Sequence, residues 1–234
     1  MPAKINSASA YFNENWQRYQ RTIKNNTLYH HEMMGCFESF LKNNFNKEES
    51  IDFIDVGCGD ASTIAPVLKK FPIKNYIGID AAKDVLTLAK KNLSKLKGKK
   101  KFIAENMLSA LKKIHSEVDV IFSSYAVHHL SITDKILFIN ACKNKLKPGG
   151  YLLLIDGVRK PMQTREEWLN DLEKRMLDTL PDSSEEIKIR MEHPRQDDFP
   201  ETVATFKEIA LEQGWKEFRV LEDQGIFVFM EFAK

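Results

Sequence analysis

Long apolar runs are missing from this chain. No window approaches about 18 uninterrupted apolar residues, so no membrane-spanning helix is expected. The opening Met1-Pro2-Ala3-Lys4 leads into polar sequence, so no secretory signal is expected either. Cysteine is scarce: Cys36, Cys58 and Cys142 lie far apart with no Cys-x-x-Cys spacing. That pattern argues against a disulfide framework and a cysteine zinc site, so no metal is expected, and it suits a reducing compartment, the cytoplasm. An excess of either charge is also missing, since 35 basic and 33 acidic residues leave a formal charge of +2. Nothing in that balance pulls the chain toward nucleic acid or an anionic membrane. No repeat, low-complexity tract or linker divides the 234 residues, 43% of them apolar. One domain, residues 1–234, with a sizeable core is expected.

What the chain does have is an alternation, through its middle, of short apolar runs with longer helical patterns. That is the signature of βαβ units and a parallel sheet covered on both faces. The run Ile51 to Val56 ends in Asp55-Val56-Gly57-Cys58-Gly59-Asp60-Ala61-Ser62 and is followed by a helical pattern. Glycines at alternate positions let a main chain pass close to a ligand where a Cβ would collide. A dinucleotide turn normally adds a third glycine and faces its helix N-terminus to a pyrophosphate. Here Ser62 stands in that place, and Asp55 puts at the strand end a carboxylate that would repel a pyrophosphate and suit an ammonium or sulfonium. About 21 residues beyond Gly59, the run Tyr76-Ile77-Gly78-Ile79-Asp80 ends in an acid positioned to accept two ribose hydroxyls.

These residues resemble the first two motifs of the class I S-adenosylmethionine-dependent methyltransferases, small-molecule type, with Asp55, Gly57, Gly59 and Asp80 matching. Phe102-Ile103-Ala104-Glu105-Asn106-Met107 is similar to the family's third strand and adenine loop, although Asn106 or Glu105 has to serve where the family usually has Asp. Val118 to Tyr125 and then Ala126-Val127-His128-His129-Leu130 resemble the fourth strand and its donor-facing loop. Leu146-Lys147-Pro148-Gly149-Gly150-Tyr151 leads into a fifth strand ending at Asp156. The resemblance covers about Ile51 to Asp156 and implies a Rossmann-like α/β fold: a seven-stranded mixed sheet, helices on both faces and a C-terminal antiparallel hairpin. The hairpin fits Trp215 to Leu221 and Ile226 to Phe232. It further implies S-adenosyl-L-methionine as cofactor and methyl transfer to a small-molecule acceptor by in-line displacement. The donor site it implies comprises Asp55, Gly57, Cys58, Gly59, Asp80, Ala81, Asn106, Met107 and Ser123, with Tyr19 as a weaker match.

Two segments stand outside the alternation. Residues 1–48, with Tyr11, Phe12, Trp16, Tyr19 and Tyr29, read as an N-terminal helical cap, and residues 160–200 as a helical insert over the active site. Thr164-Arg165-Glu166-Glu167 is a capping box, and a second short helix is expected after Ser183 and Ser184.

Displacement at a sulfonium needs the nucleophile about 3 to 3.5 Å from the methyl carbon and nearly in line, so positioning carries much of the catalysis. A base is needed only for a protonated acceptor. His128 and His129, with Tyr125 beside them, are therefore the catalytic candidates, against the plainer reading that one packs and the other is solvated. Asp156 and His193 are further candidates with ordinary structural explanations. Asp80 also reads as a helix cap; as a ribose ligand, its replacement by Ala is expected to weaken donor binding while the melting temperature barely moves. The run Lys95 to Lys101 reads as a solvated turn before the third strand, because no aromatic interleaving accompanies it. The alternatives are a nicotinamide-dependent oxidoreductase, disfavoured by Asp55 and Ser62, and a non-catalytic adenosylmethionine-binding protein. No sequence pattern encodes the acceptor's identity or the oligomeric state.

Overall fold

The computed structural model describes residues 16–46 and 48–234; Tyr11 and Phe12 lie outside them. The chain enters through helical residues 16–24 (α1) and α2, His30–Asn44. Five strands alternate with helices from there: β1 Ile51–Val56, α3 Ala65–Leu68, β2 Ile73–Asp80, α4 Lys83–Asn92, β3 Lys99–Ala104, α5 Met107–Lys113, β4 Val118–Ser124, α6 Ile132–Lys143 and β5 Leu146–Arg159. The remainder is α7 Arg165–Thr179, α8 Ser184–Asp197, β6 Glu201–Thr202, α9 Val203–Glu212, β7 Glu217–Asp223 and β8 Phe227–Ala233.

The main sheet runs β3-β2-β1-β4-β5-β8-β7. The first five of these strands are mutually parallel, while β8 is antiparallel to both β5 and β7. The expected seven strands and hairpin are thus present, and the two-residue β6 adds a parallel pairing beside the end of β5 at Val158↔Glu201. Strand order reverses between β1 and β4, and in sheets of this kind the crevice outside the strand carboxyl ends at such a point takes the ligand.

Each central strand feeds two cores because successive side chains alternate faces. Phe53, Phe122, Leu153 and Ile155 pack with Phe37 of α2 and Trp168 of α7. Ile54, Ile121, Leu152 and Leu154 pack on the other face with Phe138 of α6 and Phe206 of α9. The lysine run corrects one expectation: Lys99, Lys100 and Lys101 form the first half of β3 rather than a turn. Exposed lysines on an edge strand oppose pairing with another chain, and β3 is such an edge.

Local signals set the helices over the sheet. Both α7 and α8 start with complete capping boxes, Thr164 with Glu167 and Ser183 with Glu186. The second helix is longer than its sequence suggests, 14 residues, and continues through Pro194 to Asp197. Ser131 caps α6, its Oγ accepting from Asp134 N–H.

Candidate active site

Both glycines of the β1 turn are pinned to the end of β2. The Gly57 and Cys58 amides donate to the Ile79 carbonyl at 2.8 and 3.0 Å. The Gly59 amide donates to Asp80 Oδ2 at 2.9 Å, while Asp80 Oδ1 accepts from Ala82 N–H at 2.8 Å. One carboxylate thereby ties the turn to the start of α4, whose N-cap position is Ala82. This revises the expectation for Asp80: removing the carboxylate unpins the turn, so stability falls together with any ligand affinity. Burial raises the Asp80 pKa, against the pull of these two amides.

Gly57 and Gly59 sit at φ +71° and +52°, where a Cβ is strained. A Cβ on Gly57 would lie 2.6 Å from Ala126 Cβ, whereas one on Gly59 would meet nothing within 4 Å. Gly57 lets the loops after β1 and β4 close on each other, and Gly59 faces open space. That space is a cavity of about 720 Å³ at the strand carboxyl ends, bounded by Gly57, Cys58, Gly59, Asp80 and Ala81. Asn106, Met107, Tyr19, Tyr125 and His129 complete the part of its wall anticipated from the sequence. The volume is in the range of sites that enclose a small organic ligand.

Asp55 and Ser123 stand behind this wall instead of on it. Asp55 is 2% exposed and accepts a 2.7 Å bond from Tyr76 Oη. Burial pushes its carboxyl up to about 7 despite that bond. The Ser123 hydroxyl donates to Val56 O at 2.8 Å, bracing β4 against β1. In the loop after β3, Asn106 Oδ1 accepts from the Leu108 and Ser109 amides and caps α5, which leaves its amide NH2 as the group still able to bond a ligand. Glu105 also lines the cavity and pairs with Lys113 at 2.5 Å.

Asp60 is a site residue the sequence reading passed over. Its Oδ2 accepts from Trp16 Nε1 at 2.9 Å and Gln20 Nε2 at 2.8 Å, and its Oδ1 from Ser62 N–H at 3.0 Å. It joins α1 to the glycine turn. Tyr19, on the same helix, lies on the cavity wall, and burial, with Asp60 and Asp80 adding, raises its phenol pKa. The available signal was an acid directly after Gly59.

The loop after β4 forms the opposite wall. Tyr125 is held at φ +53°, and its hydroxyl donates to Leu28 O at 2.7 Å, so it presents a ring rather than a free acid or base. His128 and His129 share a single 3-10 turn, Val127–His129, but diverge. His128 is 6% exposed and does not reach the large cavity; its Nδ1 bonds Asp156 Oδ1 at 2.6 Å. Burial lowers its pKa, and the carboxylates of Asp156 and Asp198 outweigh burial, so the net direction is upward. His129 lines the large cavity and also a small one of about 80 Å³ beneath α7 and α8. Its Nδ1 lies 3.0 Å from Asp198 Oδ1. His193 of α8 is 5.1 Å from it, ring centre to ring centre, and burial followed by the charge of His129 lowers the His193 pKa to about 4. The amide of Phe199 donates to His128 O at 2.7 Å, fastening the segment after α8 to this loop.

No metal-ligand spacing is visible in the sequence, yet among the described residues His128, His129 and Asp198 bring one potential ligand atom each within 4.8 Å of the others. Asp198 lies 69 positions beyond His129, so no short motif announces the group.

A family model described as a methyltransferase domain matches residues 54–152, the segment that carries the glycine turn, Asp80 and the loop after β4. The chain is 24% identical over 125 residues to the mitochondrial ubiquinone biosynthesis O-methyltransferase of Saccharomyces cerevisiae, covering 52% of this chain and 38% of that protein. It is 32% identical over 103 residues to a tRNA (guanine-N(7)-)-methyltransferase of Clostridium perfringens, covering 43% of each. The chain therefore spans about two fifths of the length of these curated relatives. Among solved structures, magnesium protoporphyrin IX methyltransferase from Synechocystis PCC 6803 with bound SAH superposes with a TM-score of 0.68 at 14% identity, over 98% of this chain and 99% of that one. The sheet order and the superposition give the chain the Rossmann-like fold of these methyltransferases, and the matched segment makes residues 54–152 similar to a methyltransferase domain.

Proposed function

We propose that the protein transfers the methyl group of S-adenosylmethionine to a small-molecule acceptor. The observation that carries this reading is the continuity of one cavity from the glycine turn and Asp80 to the loop of Tyr125 and His129. The residues present fit the nucleoside: the space in front of Gly59 is open, and each Asp80 oxygen, having taken one backbone N–H, retains a lone pair for a ribose hydroxyl. Ala81 and Met107 would flank the adenine, and the Asn106 amide group would donate to the base. Gly57, Cys58 and Gly59 would run beside the sugar and the methionine tail. Tyr19 would cover the donor, while Asp55 and Ser123 support the turn from behind.

When bound, the cofactor supplies a methyl group on a positively charged sulfur. The protein's part is to hold the acceptor in line with it and to exclude water. Tyr125 contributes an apolar wall, His129 meets the reacting end of the acceptor, and His128 is a positioning residue fixed by Asp156. The helices α1, α7 and α8 cap the acceptor. Three cysteines, none paired with another, fit a cytoplasmic protein, and no helix among the described residues is long and apolar enough to cross a membrane.

A small acceptor is favoured over RNA because the strongest basic run, Lys99 to Lys101, lies at the start of β3, away from the strand carboxyl ends that form the cavity. The test is transfer of isotopically labelled methyl from S-adenosylmethionine to two acceptor sets, small phenols, carboxylic acids and amines in one and tRNA in the other. Label on a small molecule is the expected result. Label confined to tRNA, or nicotinamide cofactor binding in place of S-adenosylmethionine, overturns the reading.

A further inference from the structure

We propose that His128, His129 and Asp198 form a binding site for one divalent transition-metal ion, set in the wall shared by the large and small cavities. Asp198 Oδ1 lies 3.0 Å from His129 Nδ1 and 3.7 Å from His128 Nε2. Ligand atoms that each sit about 2.1 Å from a shared ion are separated from one another by roughly 3 to 4 Å, so both spacings suit a common ion.

Two further observations point the same way. Asp198 is 4% exposed, and its Oδ1 makes no hydrogen bond. Its nearest charged neighbours are the imidazoles of His129 at 3.0 Å and His128 at 3.7 Å, the two groups a shared ion would join to it. His128 Nδ1, bonded to buried Asp156 at 2.6 Å, leaves Nε2 as the lone-pair nitrogen on the Asp198 side. A carboxylate behind a ligating imidazole is the usual outer partner of a metal-bound histidine.

Two imidazoles with one carboxylate select zinc, iron(II) or cobalt(II) over magnesium or calcium, which prefer oxygen-only shells. Three protein ligands leave a position open to water or a ligand oxygen. Because His129 lines both cavities, that ligand is within reach of an acceptor. This last role rests on the methyl-transfer reading, whereas occupancy by the ion does not.

The test is equilibrium dialysis and visible absorption with cobalt(II) alone, on chelator-stripped full-length protein, with neither donor nor acceptor added. The expected result is saturable binding at one equivalent, with ligand-field bands and a raised melting temperature. Asp198→Asn and His129→Gln should each weaken binding by at least about tenfold. Asp156→Asn should keep the stoichiometry and weaken binding by about 10 to 100-fold, through the imidazole it orients. Wild-type protein that takes up no stoichiometric cobalt overturns the proposal whatever the variants do, as does Asp198→Asn binding as tightly as wild type. S-adenosylhomocysteine calorimetry on the same stripped wild-type sample keeps the two readings apart: nucleoside binding without cobalt binding sinks the metal site alone.

Discussion

The two halves of the cavity are built by different means. On the donor side, main-chain amides of Gly57, Cys58, Gly59 and Ala82 converge on Ile79 O and the Asp80 carboxylate, all between positions 57 and 82 of the chain. On the acceptor side, side chains reach across distant segments: His128 to Asp156, Arg175 to the Asn26 and Thr27 carbonyls, and buried Arg190 to Arg18 O, 172 residues away. A site made of backbone tolerates many side chains around it but no added Cβ. A site made of long-range side-chain contacts can be retuned one residue at a time. The donor half can therefore hold one ligand while the acceptor half changes what it admits.

The largest test of this contrast falls on the acceptor side. Trp168 of α7 is fully buried, donates to Ile226 O at 3.1 Å and fills the space that a Cβ on Gly157 would otherwise enter. Trp168→Ala should cost about 3 to 5 kcal/mol in urea unfolding, while the folded fraction still binds S-adenosylhomocysteine with affinity close to wild type. Comparable loss of donor affinity would mean that the halves are coupled.

Asp55 tests the ground beneath the donor turn. Its folded pKa of about 7 lies above the ordinary aspartate value of 3.8. Between those two values the folded state binds more protons than the unfolded state, so stability falls as pH rises through that window. The loss is roughly 4 kcal/mol at most. Asp55→Asn should flatten the stability profile between about pH 4 and pH 7 and raise stability at pH 7. A profile unchanged by the substitution would show that Asp55 is ionised in the folded protein.

Gly57→Ala probes the close approach itself. The strained φ and the 2.6 Å contact with Ala126 Cβ predict a loss of about 1 to 3 kcal/mol and at least about tenfold weaker donor binding. The smallest effect belongs to Lys147, which bridges Asp52 and Asp119 at the opposite end of the strands. Lys147→Ala should cost about 1 kcal/mol or less in thermal melts, because the pair is partly exposed, and should leave methyl transfer unchanged.

The same contrast explains what could be read from residues alone. Alternating glycines, an acid at the end of β2, two capping boxes and a hairpin are local patterns, so the strand order and the donor wall were legible. Side-chain direction at the ends of β1 and β4 was not: Asp55 and Ser123 share the right strands with the cavity but turn to Tyr76 and Val56 instead. Tyr125 looked like a polar candidate until its hydroxyl proved committed to Leu28 O. Asp60 was within the quoted motif, but its meaning depends on Trp16 and Gln20, more than 39 residues earlier. Asp198 was invisible for the same reason, since only folding brings it to the histidine pair.

Calorimetry of S-adenosylhomocysteine binding to wild-type protein and to Asp80→Asn bears most directly on the donor half. Asn keeps one carbonyl oxygen for the turn but loses the charge and one acceptor. The prediction is one site per chain in the wild type, and an affinity at least about tenfold lower in a variant whose melting point falls by only a few degrees. Equal affinity in the two proteins would contradict the assignment of the ribose to Asp80, and no binding to the wild type would contradict the donor site altogether.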